Sequence, residues 1–177
     1  RLSYVVAQHV SPAHRSMLAE LLAPHTRLRV VELRDGDPPT PGTIAVVPPM
    51  ADATLAGGHL RLLPPPAPNG PRPSADLLFR SLAAELGEAA IGVVLSGTGT
   101  DGAAGLQDIQ LAGGLTIAQD PTTATHDGMP QAAIRTGAVD LVLRASEIGP
   151  ALSRMATGAG TDEAVASEDE ADLYAQI

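Results

Sequence analysis

Short apolar runs rich in β-branched residues alternate along this chain with longer segments of helical periodicity. This alternation is typical of βαβ units, in which the helices that connect parallel strands also cover the sheet. The predicted strands are residues 3–8, 28–32, 43–47, 91–96, 115–119 and 139–143. The predicted helices are residues 12–23, 74–86, 103–112, 130–136 and 146–156. Because most strands are apolar throughout, we expect helices on both faces of the sheet.

The fold class that we predict is therefore α/β, a three-layer, doubly wound and predominantly parallel sheet of Rossmann-like topology. Residues 53–63 differ, because two alternating runs meet at Gly57-Gly58. Glycines tolerate the positive φ of a tight turn, so a small β-hairpin is expected there. A proline-rich stretch, residues 64–73, should follow in extended conformation. We assign residues 1–156 to one domain and residues 157–177 to an acidic tail or linker, which we expect to be mobile.

Helix boundaries can be placed from capping residues. Ser11 before Pro12 is expected to start the first helix, and Ser74 to cap the second, with Leu77, Leu78 and Leu82 buried. Gly113 is expected to end the helix of residues 103–112.

The charged residues narrow the classes of function. All eleven cationic side chains are arginine and the formal net charge is −9, so no lysine is available as a base or Schiff-base former. This composition argues against nucleic acid as a partner, because nucleic-acid binding needs a basic face. Without cysteine, and without histidines at ligand-like spacing, we predict no metal and no other cofactor. No apolar run approaches the ~18 residues of a membrane helix, so we expect no membrane insertion and a cytoplasmic location.

Two segments place polar side chains at the carboxyl ends of predicted strands, where open α/β sheets bind their ligands. His9 follows the first strand, although a histidine in this position is also common as a structural residue. The second segment is Gly97-Thr98-Gly99-Thr100-Asp101-Gly102, a turn between a strand and a helix. In a purely structural interpretation of this turn, its glycines only allow a tight connection between the strand and the helix.

A dinucleotide site is one specific interpretation of the turn, because it matches G-x-G-x-x-G and Asp120 follows the next strand eighteen residues after Gly102. Asp101 weighs against it, since a carboxylate at the start of the helix would compete with a pyrophosphate. The other interpretation gives that carboxylate the main role. The start of the helix that it precedes should keep Asp101 ionised, and an ionised carboxylate can orient His9 as in hydrolytic triads. The N–H groups of Thr98 and Gly99 could then line an oxyanion pocket.

Eight separate segments, in order, resemble the landmarks of the chemotaxis protein-glutamate methylesterases, and the resemblance extends from about Tyr4 to Leu152. They are residues 5–9, Asp35-Gly36, Pro41-Gly42, 72–79, 92–105, 112–114, 118–120 and 128–130. The chain is most similar to the methylesterase part of proteins that fuse this domain to a receptor methyltransferase.

The resemblance implies a serine esterase that hydrolyses glutamate γ-methyl esters on chemoreceptors, and in some members also deamidates glutamines. It implies that His9 is the general base and Asp101 its orienting residue, that Thr98 lies next to the active site, and that Arg72 and Met129 fall in segments that approach the cleft. A receiver domain or a receptor methyltransferase domain is an implied partner. A non-enzymatic module of the same fold, which binds receptors or regulates a fused methyltransferase, is the main alternative.

The family's serine follows a strand that precedes the segment matching residues 4–9, and no such strand is present in the sequence. Ser11, Ser74 and Ser96 are poor substitutes, because two are better explained as helix caps and one ends a strand. Loss of a central strand would leave buried backbone groups unpaired, at about 1–3 kcal/mol each. We therefore expect that the sequence is one piece of a longer or cleaved polypeptide. Replacing Asp101 by Asn is expected to abolish turnover in the complete domain with little effect on folding.

Overall fold

A computed structural model describes residues 2–9, 17–64 and 72–157 of the protein. The strands are β1 (Tyr4–Val6), β2 (Arg29–Glu32), β3 (Thr43–Val46), β4 (Asp52–Ala56), β5 (His59–Leu63), β6 (Ile91–Val94), β7 (Leu115–Gln119) and β8 (Leu141–Leu143). The helices are α1 (Leu18–Leu22), α2 (Ala75–Leu86), α3 (Ala103–Leu111), α4 (Gly128–Arg135) and α5 (Ala145–Thr157). Ser11, Pro12, most of the proline-rich stretch and the acidic tail lie outside the described residues.

Six parallel strands form two three-stranded sheets in the described part of the chain. In the first sheet β3 lies between β1 and β2, and in the second β7 lies between β6 and β8. The predicted α/β class with predominantly parallel strands is confirmed. The strands are divided between two sheets because, in these ranges, β1 pairs only with β3 and β6 only with β7.

The predicted hairpin is also confirmed. β4 and β5 pair in antiparallel register, and Gly57 and Gly58 turn between them with φ of +58° and +75°. This conformation suits glycine because no Cβ meets the backbone. The hairpin packs on α2, where the hydroxyl of Ser81 accepts a hydrogen bond from the N–H of Leu55 at 2.9 Å.

Two apolar clusters fill the space between these elements, and α2 contributes to both. Leu78 packs under the hairpin with Leu55 and Leu60, all at most 3% exposed. Its neighbour Phe79 packs with Leu106 of α3 in the second cluster, beside β6. Helix α2 therefore joins the first sheet and its hairpin to the second sheet. Its packing on α3 brings the starts of these two helices together.

The burial of α2 differs in part from the expectation. Ser74 caps this helix as predicted, accepting from the N–H of Leu77 at 3.3 Å. Leu77 and Leu82 are only half-buried, however, and the buried residues of the helix are Ala75, Leu78, Phe79 and Ala83. The buried face is rotated toward Phe79 because the helix packs on α3 as well as on the hairpin.

Coverage of both sheet faces holds for the central strand β7, where four of five residues are buried. It is wrong for the outer strands, since Arg29 and Glu32 of β2 are exposed and Val142 of β8 is 47% exposed. None of the helices in the described ranges is long and apolar enough to cross a bilayer.

Candidate active site

His9 and Asp101 meet where two strands end. His9 lies three residues beyond β1, and Asp101 lies in the glycine-rich turn between β6 and α3. The imidazole Nε2 of His9 is 2.7 Å from the carboxylate Oδ2 of Asp101, and the two side chains are 26% and 10% exposed. An ionised carboxylate only accepts hydrogen bonds, so Nε2 carries the proton of this contact. The structure thus brings together two residues that are 92 positions apart in the chain.

The carboxylate of Asp101 has donors on both of its oxygens. Oδ2 also accepts from the N–H of Ala75 at 2.7 Å, and Oδ1 accepts from the N–H of Asp76 at 3.0 Å and the hydroxyl of Ser74 at 3.3 Å. Burial raises the pKa of Asp101, but the hydrogen bonds from His9, Ala75 and Asp76 outweigh burial, and this pKa lies below its usual value. Asp101 is therefore ionised at neutral pH.

These donors belong to the start of α2, whereas the sequence leads us to expect the start of α3. That expectation is wrong, because Asp101 accepts no hydrogen bond from α3. The N-cap of α3 is Gly102, which has no side chain to cap the helix. Instead, Oδ1 of Asp76 accepts from the N–H groups of Gly102 at 2.9 Å and Gly105 at 2.7 Å. The start of α2 favours an ionised Asp101 as the start of α3 would, since either helix start stabilises a carboxylate.

A second loop, residues 120–128, holds the glycine-rich turn in place. The N–H of Gly97 donates to the carbonyl of His126, and the N–H of Met129 donates to the carbonyl of Gly97, both at 2.9 Å. The N–H of His126 donates to the hydroxyl of Ser96 at 2.9 Å. A Cβ on Gly128 would lie 3.3 Å from the nitrogen of Gly99, so the two backbones nearly touch. The turn is fixed by its neighbour and does not depend on its own glycines alone.

Gln119 adds a side-chain brace that the sequence interpretation does not include. This residue is 5% exposed, and its Oε1 accepts from the N–H of Ser96 at 2.8 Å. Its Nε2 donates to the carbonyl of Thr123 at 3.1 Å. A long polar side chain at the end of a mostly apolar strand is the one signal that could have suggested this role.

Thr98 and Gly99 form the exposed tip of the turn, with Gly99 at φ +92°. Within the described ranges, neither of their N–H groups has a protein acceptor. Met129 packs against the same turn, where a Cβ on Gly97 would collide with its Sδ. Thr98 and Gly99 thus lie in the same turn as Asp101, and Met129 packs against that turn.

Arg72 is held two residues before the cap of α2. Its Nη1 is 2.6 Å from Oδ2 of Asp52, which is 3% exposed, and Oδ1 of Asp52 accepts from the N–H of Ser74 at 2.8 Å. A buried carboxylate needs such a partner, because an unpaired one would be strongly destabilising. Arg72 therefore braces the start of α2, and a contact with substrate stays a prediction.

The dinucleotide interpretation is not favoured by the contacts. The carboxylate of Asp76 occupies N–H groups at the start of α3 that a pyrophosphate would need. Asp120 accepts from the N–H of Thr122 at 2.9 Å and from its hydroxyl at 2.8 Å, and these bonds lower the pKa of Asp120. That carboxylate is engaged in its own turn.

No serine in the described part of the chain hydrogen-bonds to His9, and Nδ1 of His9 has no partner there. The hydroxyl of Ser74 is used by Asp101 and Leu77, and that of Ser96 by His126. Over the same ranges, no three histidine or acidic side chains are grouped to hold a metal ion.

A family model described as CheB methylesterase matches residues 1–152. Protein-glutamate methylesterase/protein-glutamine glutaminase 2 of Anaeromyxobacter dehalogenans is 42% identical over 150 residues, which are 85% of this chain and 44% of that protein. Protein-glutamate methylesterase FrzG of Myxococcus xanthus is 41% identical over 146 residues, 82% of this chain and 44% of that protein. An uncharacterized 104.1 kDa protein of Rhodobacter capsulatus is 45% identical over 133 residues, 75% of this chain and 14% of that protein.

The chain thus spans less than half the length of these curated relatives. Among solved structures, the CheB methylesterase catalytic domain of Thermotoga maritima superposes with a TM-score of 0.81 at 31% identity, covering 86% of this chain and 83% of that one. The family model, the relatives and the fold agree with one another. This chain belongs to the CheB methylesterase family.

Proposed function

We propose that this domain hydrolyses glutamate γ-methyl esters on a chemoreceptor or similar signalling protein, and that it also deamidates receptor glutamines. The observation that carries the proposal is the 2.7 Å hydrogen bond between His9 and the ionised Asp101. An ionised carboxylate holds histidine in one tautomer and stabilises the imidazolium that forms when histidine takes a proton. The names of the relatives supply the ester and the amide as substrates.

The proposed reaction uses a serine from a part of the protein outside these 177 residues. Its oxygen attacks the γ-carbonyl carbon while His9 takes the serine proton. Methanol leaves with that proton, and a glutamyl ester of the serine remains. Water then attacks this ester, with His9 taking the water proton and returning it to the serine oxygen as glutamate is released. For a glutamine substrate, ammonia leaves in place of methanol.

The tautomer of His9 assigns a role to each ring nitrogen. Nε2–H donates to Asp101, so Nδ1 keeps the lone pair that accepts the serine proton. In chymotrypsin-like proteases the two nitrogens have the opposite roles. The serine must therefore approach Nδ1, which has no partner in the described ranges.

The sheet arrangement supports an additional strand as the source of the serine. His9 and Asp101 follow β1 and β6, each of which has one edge without a partner in the described ranges. A parallel strand between them would pair with both and would end at the edge where His9 and Asp101 lie. A residue just beyond that strand would be close to His9. The N–H groups of Thr98 and Gly99, which have no acceptor among the described residues, are the proposed donors to the oxyanion, with Met129 and Arg72 bordering the substrate.

The proposed partners are a methyl-accepting chemoreceptor and, in the same protein, a receiver domain or a receptor methyltransferase domain, acting in the cytoplasm. The lengths of the relatives support additional domains, because this chain matches 14–44% of each.

The test is methanol release from a methyl-esterified receptor by the full-length protein and its His9→Ala variant. We expect turnover to fall by at least about a thousandfold, as for loss of a triad base. His59→Ala, an exposed histidine of the hairpin, is the matched control and should retain full turnover. If His9→Ala turned over the ester as fast as the wild type does, the proposed mechanism would be refuted.

A further inference from the structure

The starts of α2 and α3 cap each other in a reciprocal exchange, in which an aspartate at each start accepts hydrogen bonds from the N–H groups of the other. Asp101, which directly precedes the N-cap of α3, accepts from the N–H groups of Ala75 and Asp76 in the first turn of α2. Asp76 in turn accepts from Gly102 and Gly105 at the start of α3. Each helix is thus capped by a carboxylate of the other, and only Asp101 also contacts His9.

This exchange is unusual because an aspartate beside a helix start commonly caps its own helix. The side chain of a capping residue takes the N–H of the second or third helical residue. At the start of α3 the third N–H belongs to Gly105, and Asp76 already accepts it at 2.7 Å. Asp101 therefore lies beside two helix starts, and at the one nearer in sequence the third N–H is already bound by Asp76.

The close approach of the two helices depends on Gly105. A Cβ at this position would lie 2.6 Å from the Cβ of Phe79 and 3.0 Å from the Cα of Asp76. The first distance is shorter than real Cβ contacts and the second is shorter than nearly all of them, so any side chain would push the helices apart. The absence of a side chain at residue 105 is what allows Asp76 to reach α3.

We propose that Asp76 is a positioning residue for the esterase site: by occupying the start of α3, it holds Asp101 on α2 and facing His9. The inference rests on the proposed function, in which Asp101 orients His9. Without an acceptor at residue 76, the N–H groups of Gly102 and Gly105 are free to bind Asp101. The carboxylate then turns toward its own helix and leaves Nε2 of His9 without its acceptor.

The contacts of Asp76 allow a sharp comparison of two variants. One carboxylate oxygen of Asp76, Oδ1, accepts from the N–H groups of both Gly102 and Gly105. The other oxygen, Oδ2, has no hydrogen-bond partner within the described ranges. Asp76→Asn keeps that acceptor, whereas Asp76→Ala removes it. A role in positioning therefore predicts that the amide rescues the site although the charge is lost.

In the full-length protein, we expect Asp76→Ala to lower kcat for methanol release about a hundredfold with little change in KM, as for misplaced catalytic groups. Asp76→Asn should stay within about threefold of the wild type, well inside the effect of a lost positioning contact. Asp140→Ala is the matched control, because Asp140 accepts from the N–H and the hydroxyl of Thr116 at the opposite end of β7. It should lower stability while kcat is retained.

A second readout does not depend on activity. ¹⁵N spectra of ring-labelled histidine, with the His9 signal assigned by its loss in His9→Ala, report which nitrogen carries the proton. We expect the Nε2–H tautomer in the wild type and in Asp76→Asn, and a mixture of tautomers in Asp76→Ala. If Asp76→Ala does not fold, Asp76→Ser is compared instead, because its shorter side chain also leaves Gly105 without an acceptor.

The two readouts separate the possible failures. Unchanged tautomer and unchanged kcat in folded Asp76→Ala would overturn the positioning role. An equal loss of kcat and of the Nε2–H tautomer in Asp76→Asn and Asp76→Ala would also overturn it, since charge and not the acceptor would then matter. A wild-type protein without esterase activity would refute the proposed function, while the tautomer comparison would still decide the role of Asp76.

Discussion

The carboxylate of Asp101 accepts hydrogen bonds on both oxygens, so exchange for an amide alters more than its charge. An asparagine has one oxygen, and its NH₂ group would face either His9 and Ala75 or Asp76 and Ser74. We therefore expect Asp101→Asn to lower the free energy of unfolding by about 1–3 kcal/mol at neutral pH, in addition to abolishing turnover. The sequence alone leads us to expect little effect on folding, and the measured free energy of unfolding decides between the two expectations.

The stability effect of Asp101→Asn should depend on pH. Since the pKa of Asp101 is lowered in the folded protein, its ionised form stabilises the fold above the unfolded pKa of about 3.9. That contribution is lost as the pH falls through the lowered pKa. The difference in unfolding free energy between wild type and variant should thus shrink from pH 7 toward the acid range in urea denaturation. Asp108→Asn, which alters an exposed pair with Arg80, is the control; a pH-independent difference for Asp101→Asn would contradict the prediction.

At the residue scale, the sequence is sufficient to predict the contact of His9 with Asp101, because the carboxyl ends of parallel strands lie at the same edge of the sheet. It is not sufficient for the partners of Asp101. Whether a carboxylate caps its own helix or a neighbouring one depends on how closely α2 and α3 approach. That distance is set by packing at Gly105 and Phe79, which no local pattern reports.

At the scale of elements, Gly105 should reverse the usual order of helix propensity. Alanine in a helix is normally more stable than glycine by about 1 kcal/mol. Gly105→Ala should instead destabilise the protein by about 1–3 kcal/mol, because the new Cβ collides with Phe79 and with the backbone of Asp76. The matched control is Ala104→Gly at the exposed neighbouring position, which should cost about 1 kcal/mol through propensity alone. Thermal unfolding measures both, and a stabilised Gly105→Ala would exclude the tight contact.

The elements that the sequence predicts well are those that depend on local chemistry. The hairpin follows from Gly57-Gly58, and the start of α2 follows from its cap at Ser74. Burial was less predictable, because it depends on neighbours distant in sequence. Leu77 fits an amphipathic pattern as well as Phe79 does, yet only Phe79 faces α3.

At the scale of the whole molecule, the two parallel sheets have four outer edges in the described ranges, and no local sequence pattern distinguishes these edges. The structure separates them by function: β1 and β6 lead to His9 and Asp101, whereas β2 and β8 lead to neither residue. A serine-bearing strand between β1 and β6 would protect the edges of those two strands alone. This consequence can be measured without an activity assay.

Amide hydrogen exchange in the full-length protein therefore tests the proposed strand. Backbone N–H groups that are paired on both sides of a strand open only with the surrounding structure, whereas those on an edge exchange by small local openings. If a strand lies between the sheets, β1 and β6 should exchange as slowly as the central strands β3 and β7. β2 and β8 provide internal controls, because the proposed strand leaves their outer edges unchanged, and they should exchange faster. Exchange in β1 and β6 as fast as in β2 and β8 would show that no strand occupies this position, and the serine would then have to reach Nδ1 of His9 from a loop.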